Sequence, residues 1–325
     1  MLEEKCTDQS AEIVKLLAVI VLYKLESSES VAFKTLQSAA CKVSRDKLRL
    51  EILLYDNTPG GHCADNLPEG VRYESTLQNN GLPAACNRAL EIAEAEGFDW
   101  ILTLDQDTTL PEHFLSRLSE IAGRFSLNNS IAAVVPQITD NGKMLSPAWW
   151  LLDSIPRYFP PRFTGIPKYF SSAINSASTV RVSSLRAIGG YNPRFWLDYS
   201  DAYLYRQLYR HGMHIYVAGD IQVEHQLSVF DMNHRVTLDR YRNILDAGCA
   251  FWDLELGMLA GLDFTARLAY RTFYKHWKHG HNAAFRRASW EMLKKRIFQS
   301  KKRRIEDWKR ETEGRLSASP YRQDS

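Results

Sequence analysis

The stretch Trp100-Ile-Leu-Thr-Leu-Asp105-Gln-Asp107 decides the fold of this chain. Its first five residues are apolar or β-branched and have the length of a buried strand, and Pro111 shortly after them predicts a loop followed by a helix. The two carboxylates lie two positions apart, so they share one side of the chain if the extended geometry continues. Carboxylates this close repel each other unless a cation or hydrogen-bond donors stand between them. The stretch therefore predicts a strand that ends in a divalent-cation site, with a helix-capping turn as the alternative.

Other apolar runs of strand length alternate with helical patterns along the first half of the chain. The predicted strands are 17–23, 50–55, 71–77, 100–104 and 131–136, and the predicted helices are 29–40, 82–95 and one that begins near residue 111. This alternation predicts an α/β fold, in which helices cover both faces of a mainly parallel sheet. Sheets of this kind bind ligands at the carboxyl ends of their strands. Because Asp56-Asn57 and Asp105-Gln-Asp107 both follow strands, we expect them in the binding site.

Charge divides the chain into an acidic body and a basic C-terminal segment. The chain carries a net charge of +3, but residues 266–310 alone hold 15 Lys and Arg against three acids, with aromatic residues between them. We predict a domain of residues 1–265 and a basic, aromatic-rich helical extension of residues 266–325. Helices with an aromatic side and a basic side bind anionic membrane surfaces, so we expect peripheral membrane association. A solvated appendage or a contact between copies in a homo-oligomer is the alternative, and we do not expect nucleic acid as a partner.

The N-terminal residues and the cysteines bear on the location of the protein. Residues 1–12 carry acids and lack the apolar stretch of a secretory signal. The longest apolar run, 16–23, is shorter than the roughly 20 residues that a membrane-spanning helix needs. The five cysteines are scattered and form no CxxC pair, which favours reduced thiols. We therefore expect a cytoplasmic protein without a transmembrane segment, located at the inner face of the cell membrane.

Seven short motifs follow one another between residues 18 and 225. They are Val19-Ile-Val-Leu-Tyr23, Tyr55-Asp-Asn57, Asn79-Asn-Gly-Leu-Pro-Ala-Ala-Cys-Asn87, Leu104-Asp-Gln-Asp107, Gly189-Gly-Tyr-Asn192, Asp198-Tyr-Ser-Asp201 and Glu224-His225. Each motif is weak alone, but their order and spacing together resemble glycosyltransferase family 2, and most of all its rhamnosyltransferase branch. The resemblance implies a Rossmann-like fold called GT-A and an inverting, metal-dependent sugar transfer. In that branch L-rhamnose passes from dTDP-L-rhamnose to a glycan or lipid-linked acceptor of a bacterial surface polysaccharide or lipopolysaccharide.

The same resemblance assigns roles to individual residues. The residues implied to bind the donor nucleotide are Leu22, Tyr23, Asp56, Asn80, Gly81, Asn87 and Asp105. Those implied to hold Mn²⁺ or Mg²⁺ are Asp105, Asp107 and His225, and those implied to border the acceptor are Trp196, Asp198 and Tyr199. Asp201 is the implied catalytic base, since inversion needs one carboxylate to deprotonate the acceptor hydroxyl.

The residues themselves leave plainer structural alternatives open for these assignments. Asp56 also suits an Asx turn, Asn80 and Asp201 suit helix caps, and a lone histidine such as His225 is often a satisfied core group. In the segment Asp239-Arg-Tyr-Arg-Asn243, Arg240 or Arg242 would contact phosphate, donor or lipid, or else form a surface ion pair. A non-catalytic nucleotide or nucleic-acid binding protein that uses the basic extension is the alternative function.

Overall fold

The computed structural model describes residues 13–62, 66–153, 155–224, 236–275 and 283–318. The strands in these ranges are β1 (Val14–Leu22), β2 (Leu48–Asp56), β3 (Val71–Ser75), β4 (Trp100–Asp105), β5 (Ile131–Asp140), β6 (Lys143–Ser146), β7 (Ala148–Leu151), β8 (Ile155–Tyr158), β9 (Ser171–Ser172), β10 (Ser178–Arg181) and β11 (His214–Glu224). The α-helices are α1 (Val31–Ala40), α2 (Leu82–Glu96), α3 (Phe114–Arg124), α4 (Val182–Ala187), α5 (Ser200–Arg210), α6 (Leu238–Glu255), α7 (Met258–Tyr270), α8 (Ala283–Phe298) and α9 (Lys301–Glu311). Shorter helical segments span Ser27–Glu29, Arg271–Lys275 and Glu313–Ala318.

The main sheet has the strand order β11-β5-β10-β4-β1-β2-β3, and β6 pairs with β5 outside this path. Strands β4, β1, β2 and β3 are parallel neighbours, and β11 is parallel to β5. Helices lie on both sides of the sheet, and further helices follow at the C-terminal end. The predicted α/β fold with a mainly parallel sheet and a C-terminal helical extension is confirmed.

Strand β1 shows why both faces of this sheet must be covered. Its side chains alternate between two cores, with Leu16, Ala18, Ile20 and Leu22 in one and Leu17 and Val19 in the other. Side chains alternate across a strand, so an unbroken apolar run places apolar groups on both faces. The first core includes α1 and α3, and the second includes α2, α4 and α5. The apolar run that predicted β1 therefore also dictates the three-layer arrangement.

Local sequence signals set the ends of the helices that flank the site. Helix α1 follows Ser30, whose Oγ accepts a hydrogen bond from the Phe33 N–H (3.2 Å). Helix α2 has Pro83 in its first turn and ends at Gly97, which has a left-handed backbone (φ +71°) and donates its N–H to Ala93. These signals explain why the predicted bounds of both helices lie within two residues of the observed ones.

Two features of the sheet region lie outside what the apolar pattern predicted. Strand β10 runs antiparallel between β4 and β5, and a separate three-stranded sheet has the order β8-β7-β9. The sequence of β10, Ser178-Thr-Val-Arg181, has only one aliphatic residue, although all four residues are buried. Arg181 is buried because its guanidinium group lies over the Trp100 ring (4.2 Å) and donates to main-chain carbonyls that include Ile131 O. The burial of Arg181 therefore depends on hydrogen bonds. The sequence of β10 lacks the apolar run from which a buried strand is predicted.

The C-terminal helices form a folded layer that includes the boundary predicted at residues 265 and 266, and the division into two domains stays a prediction. That boundary falls inside α7, and both of its sides contribute to one core that runs from Val236 to Trp308 and includes Phe195 of the sheet domain. Asp253 of α6 is buried and forms ion pairs with Arg296 of α8 and Arg304 of α9. Breaking such a buried pair costs about 3–5 kcal/mol because it strands a charge in the core. The helical layer therefore begins with α6 and is part of the folded protein.

Candidate active site

The carboxyl ends of β1, β2 and β4 meet at one edge of the main sheet. The strand register places Leu22 beside Asp56 and Val21 beside Asp105. A cleft of about 640 Å³ opens at this edge, and its lining includes Asp105, Gln106 and Asp107. The other side of the cleft is formed by residues 196–198, by α6 and by Arg315. The cleft lies at the strand ends, where the binding site is predicted, and ligand binding there stays a prediction.

Gln106, the middle residue of the Asp-Gln-Asp motif, fastens the end of β1 to the end of β4. Its side-chain oxygen accepts from the Tyr23 N–H (2.8 Å), and its amide nitrogen donates to the Tyr23 carbonyl (3.4 Å). Its own carbonyl accepts from the Ala32 N–H and from the Ser30 hydroxyl. Tyr23, 41% exposed, is thereby held on the cleft wall with Lys24 next to it. The motif itself was the signal for Gln106, but its geometric role was not predicted.

Asp105 and Asp107 both line the cleft, Asp105 half-buried and Asp107 exposed. Their oxygen atoms are the donor type that Mn²⁺ and Mg²⁺ prefer, and a diphosphate in the cleft would supply further oxygens. The residues present therefore fit a divalent cation bound together with a nucleotide diphosphate. Within the described ranges, no group of three or more His, Cys, Asp and Glu side chains is placed to hold a metal ion. His225, the third predicted ligand, lies outside the described residues.

Asp56 and Leu22 are at the strand ends but do not line the cleft. Asp56 is fully buried, and its carboxylate accepts from the Thr58 N–H (2.8 Å), the Tyr73 hydroxyl (2.6 Å) and the His62 N–H (3.2 Å). Burial alone would raise the pKa of Asp56, but these hydrogen bonds outweigh it and hold the pKa below its ordinary value. The Leu22 side chain belongs to the core. Asp56 organises the turn after β2, while its predicted contact with a nucleoside stays a prediction.

Asn57 connects that turn to the loop before α2. Its Oδ1 accepts from the Asn80 N–H (3.2 Å), and its Nδ2 donates to the Gly81 carbonyl (3.0 Å). Asn57 itself lines the cleft, as do Asn79 and Gly81. The strand-end pattern predicts Asn57 at the site together with Asp56, but it assigns no role to its side chain. The Asn57 amide holds the loop 79–81 against the cleft, which Gly81 lines, whereas Asn80 does not line it and its contact with the donor stays a prediction.

Gly81 is required by its contact with Trp196. It has φ +81°, and a Cβ at this position would lie 2.4 Å from the Trp196 carbonyl oxygen and 2.5 Å from its ring. Leu82 also donates its N–H to that carbonyl (3.0 Å). A side chain at residue 81 would therefore displace Trp196, one of the predicted acceptor-binding residues, which lines the cleft. Close packing of the two cleft walls is the reason for glycine here.

Asn87 and Tyr199 were predicted at the site but brace it from behind. The Asn87 amide is fully buried, donates to the Tyr191 carbonyl (2.9 Å) and accepts from the Tyr191 N–H (2.8 Å). The Tyr199 ring packs against Phe251 (5.5 Å) and against Gly248 of α6. Neither side chain lines the cleft. Their predicted contacts with donor and acceptor therefore stay predictions, since in the structure both side chains contact protein.

Asp198 forms the opposite wall together with Arg240 of α6. Their charged groups are 3.6 Å apart, and the side chains are only 12% and 27% exposed. Burial raises the pKa of Asp198, and the charge of Arg240 partly opposes that rise. Asp198 Oδ2 is buried and has no hydrogen-bond partner among the described residues. Arg242, by contrast, forms an exposed surface pair with Asp239 (3.3 Å), so Arg240 is the arginine of this segment that reaches the cleft.

Arg315 brings a third cationic group to the cleft, after Lys24 and Arg240. It lies in the helical segment Glu313–Ala318, beyond the last α-helix, and donates from Nη1 to the Arg194 carbonyl (2.9 Å). Burial lowers the pKa of Arg315, and the charge of Asp246 partly opposes that change. No sequence motif indicates this residue, because more than 200 positions separate it from the strand-end motifs.

Asp201 opens into a second, smaller pocket. It lies in the first turn of α5 and accepts from the Ala202 N–H (2.7 Å). The pocket, about 190 Å³, is lined by Asp201 and by the small sheet through Trp150, Pro156 and Tyr158. The pKa of Asp201 is raised to about 6, chiefly by burial; the Ala202 hydrogen bond opposes this rise, and the charges of Asp198 and Asp105 add to it. A carboxylate with that pKa is a suitable proton acceptor near neutral pH.

Asn175 connects β4 to the first turn of α5, which carries Asp201. Its main-chain oxygen accepts from the Thr103 hydroxyl, and its side-chain Nδ2 donates to the Ser200 hydroxyl (3.1 Å). Thr103 is two residues before Asp105, and Ser200 directly precedes Asp201. One buried asparagine therefore links the strand that ends in Asp105, a predicted metal ligand, to the helix turn of Asp201, the predicted base, and no sequence motif indicates it.

Comparison with known proteins gives a fold and a family. One similar solved structure is GalNAc-T7 with UDP, GalNAc and Mn²⁺, with 13% identity and a TM-score of 0.51; the match covers 95% of this chain and 58% of that chain. Another is residues 1–349 of TarS from S. aureus in complex with UDP, with 16% identity, a TM-score of 0.48 and coverage of 96% and 94%. A search of curated protein sequences found no match. The sequence profile of glycosyl transferase family 2 matches residues 19–188, more than half of the chain. The chain therefore belongs to glycosyltransferase family 2.

Proposed function

We propose that this protein is an inverting glycosyltransferase that transfers a sugar from a nucleotide diphosphate to an acceptor hydroxyl. The observation that carries the proposal is the pairing of two cavities. A large cleft has the two carboxylates of the Asp-Gln-Asp motif on one wall and two arginines on the other, and a small pocket next to it contains a carboxylate with a raised pKa. Family membership supports the same activity.

The large cleft suits the donor. Arg240, Arg315 and Lys24 line it and match the negative charge of a diphosphate, and a guanidinium group can donate to two phosphate oxygens at once. Helix α6 begins at the cleft, so its partial positive end also favours an anion there. The Tyr23 ring is exposed on the β1 side of the cleft, where it would stack on the nucleoside base.

Asp105 and Asp107 would hold Mn²⁺ or Mg²⁺ in the same cleft, and His225 stays a proposed third ligand. The bound ion would offset the negative charge that develops on the departing nucleotide diphosphate. Asp198 Oδ2 is a buried acceptor without a partner among the described residues, and a hydroxyl of the sugar would satisfy it.

Asp201 acts as the general base. Its carboxylate takes the proton of the acceptor hydroxyl while the acceptor oxygen attacks the anomeric carbon, and the bond from that carbon to the diphosphate breaks. The products are the new glycoside, with inverted configuration, and the nucleotide diphosphate. Asn175 and Ser200 position Asp201 for this step. The pocket beside Asp201, with Trp150 and Tyr158 in its wall, suits a glycan or the sugar of a lipid-linked acceptor.

A donor and acceptor screen tests the proposal. The full chain is incubated with a panel of nucleotide sugars, Mn²⁺ or Mg²⁺, and a panel of sugar glycosides, and the released nucleotide diphosphate is measured. We expect release with dTDP-L-rhamnose, because the motifs resemble the rhamnosyltransferase branch, and loss of release when the metal is chelated. Nucleotide binding without release for every donor and acceptor would instead support a non-catalytic nucleotide-binding protein.

A further inference from the structure

Helix α7 has apolar residues on the side that faces solvent as well as on the side that faces the core. Its buried side repeats every four residues and consists of Ala260, Phe264 and Leu268. On its other side Met258, Leu259 and Leu262 are 80%, 78% and 60% exposed. Scattered exposed apolar residues are ordinary, but a cluster on one helix face marks an interaction surface.

The exposed apolar face continues from α7 onto α8. The Tyr270 and Tyr274 rings are 5.2 Å apart, and the Phe273 ring meets Trp290 of α8 at 5.6 Å. Helix α8 runs antiparallel to α7, because Phe273 meets Trp290 while Gly261 accepts from Arg296. This arrangement puts Ile297 and Phe298, 56% and 80% exposed, near the beginning of α7. We call the exposed residues of this surface the apolar face: Met258, Leu259, Leu262, Tyr270, Phe273, Tyr274, Trp290, Ile297 and Phe298.

Basic side chains border the apolar face. Lys294 lies with its ammonium group over the Trp290 ring (5.9 Å), one turn from the exposed Phe298. Further exposed bases follow on α8 and α9: Arg286, Arg287, Lys295, Lys301, Lys302 and Arg303. The acids on these helices are fewer than the bases: Asp263 is paired with Arg267 (2.8 Å), Glu291 is close to Arg287 (3.7 Å), and Glu306 and Asp307 of α9 are close to Lys302 (3.9 Å) and Arg303 (3.8 Å). The border of the apolar face is therefore positively charged.

We propose that the apolar face docks onto the surface of an anionic phospholipid bilayer. Aromatic and aliphatic side chains enter the boundary between headgroups and acyl chains, and the surrounding bases meet the anionic headgroups. A second copy of the chain fits less well, because a symmetric dimer would bring the basic border of one copy against that of the other. No helix among the described residues is long and apolar enough to cross a membrane, so this contact is a peripheral one.

Vesicle flotation with the full chain tests the proposal. The triple variant Met258→Ser, Leu259→Ser, Leu262→Ser should lower partition onto vesicles of phosphatidylcholine and phosphatidylglycerol by on the order of tenfold or more. The matched control is Leu127→Ser, which removes an equally exposed leucine (87%) from the turn after α3 and should leave partition unchanged. Point variants are preferable to truncation, since removal of residues 266–325 would take Leu268, Met292 and Trp308 out of the core.

Two further measurements distinguish electrostatic binding to lipid from self-association of the chain. Vesicles of phosphatidylcholine alone, or added salt, should reduce binding of the unmodified chain, because each base near an anionic surface contributes roughly a fivefold factor. Equal binding of the triple variant and the unmodified chain, or equal binding to neutral and anionic vesicles, would overturn the proposal. A concentration-dependent dimer that the triple variant abolishes, without lipid binding by the unmodified chain, would assign the face to a second copy. Sugar transfer to a soluble acceptor should be the same for the triple variant and the unmodified chain.

Discussion

The two walls of the large cleft are built by different means. The sheet wall consists of neighbouring strand ends, where main-chain register alone puts Val21, Asp105 and the residues after Leu22 side by side. The helix wall consists of Trp196, Asp198, Arg240 and Arg315, which come from three separate segments and are held by side-chain contacts. The sheet wall carries the two acids of the Asp-Gln-Asp motif, whereas the helix wall supplies two arginines.

This difference assigns separate tasks to the walls. Strand ends in a covered parallel sheet are held by hydrogen bonds and by packing on both faces, so they suit ligands that need fixed geometry, such as a divalent ion. Side chains on helices from distant segments change position when those segments shift, so they suit contacts that form as the donor binds. Asp201 belongs to neither wall, since it opens into the smaller pocket.

Asp201→Asn gives the largest expected effect and tests the separation of binding from reaction. Removal of the general base should lower turnover by about 10²–10⁴-fold, while the dissociation constant of the donor stays the same because both walls remain intact. Single-turnover kinetics and donor titration measure the two quantities. Near-normal turnover by the variant would remove Asp201 from the reaction.

The stability of the same variant is an internal control. Because the folded-state pKa of Asp201 is raised to about 6, its contribution to stability is fully present below the unfolded pKa of about 3.9 and is lost as the pH rises through 6. The ionised, buried carboxylate therefore destabilises the native protein at pH 8. Asp201→Asn should unfold at the same or a higher temperature at that pH, so that lost activity does not reflect lost structure.

Substitutions in the helix wall give the next largest effect and test whether this wall contacts the donor. Arg240→Gln and Arg315→Gln each remove a charged hydrogen-bond donor, so each should weaken donor binding by about 10–100-fold, which corresponds to about 1.5–3 kcal/mol. Arg242→Gln is the matched control, because Arg242 is in the same helix but pairs with Asp239 on the surface.

The same donor titration, with and without metal, distinguishes the role of the sheet wall from that of the helix wall. Asp107→Ala should weaken donor binding only when Mn²⁺ or Mg²⁺ is present, whereas the arginine variants should weaken it in chelator as well. Equal losses for Asp107→Ala with and without metal would mean that both walls contact the donor directly.

The strands of the sheet wall are predictable from the sequence because their signals are local. A buried strand needs an unbroken apolar run and the turn after it needs polar residues, so Trp100 to Asp107 predicted both the strand and the site. Local signals could not indicate Asn175 or Arg315, because the roles of both depend on contacts between segments that are distant in sequence. Motif resemblance supplied Asp198 and Trp196, which the apolar pattern could not.

Resemblance also named residues whose structural position is one layer behind the cleft. Asn87 and Asp56 are polar residues within motifs, and both are fully buried with main-chain hydrogen bonds at 2.8 Å. A motif indicates that a polar residue is needed at a position. It does not show whether that residue contacts the ligand or supports the loop that contacts the ligand. Burial and hydrogen-bond partners make that distinction.

The pH dependence of turnover is the smallest expected effect and links the helix wall to Asp201. The base must be ionised to accept a proton, so kcat/KM should fall tenfold per unit as the pH drops below about 6 and should be level above it. Asp198 is one of the charges that raise the pKa of Asp201, and it belongs to the helix wall. Asp198→Asn removes that charge, so the acidic limb should move to lower pH, even if the plateau also falls. The pH–rate profiles of the two proteins on a soluble acceptor measure the shift. An acidic limb at the same pH in both would mean that Asp198 does not act on the base, and the helix wall would then serve the donor alone.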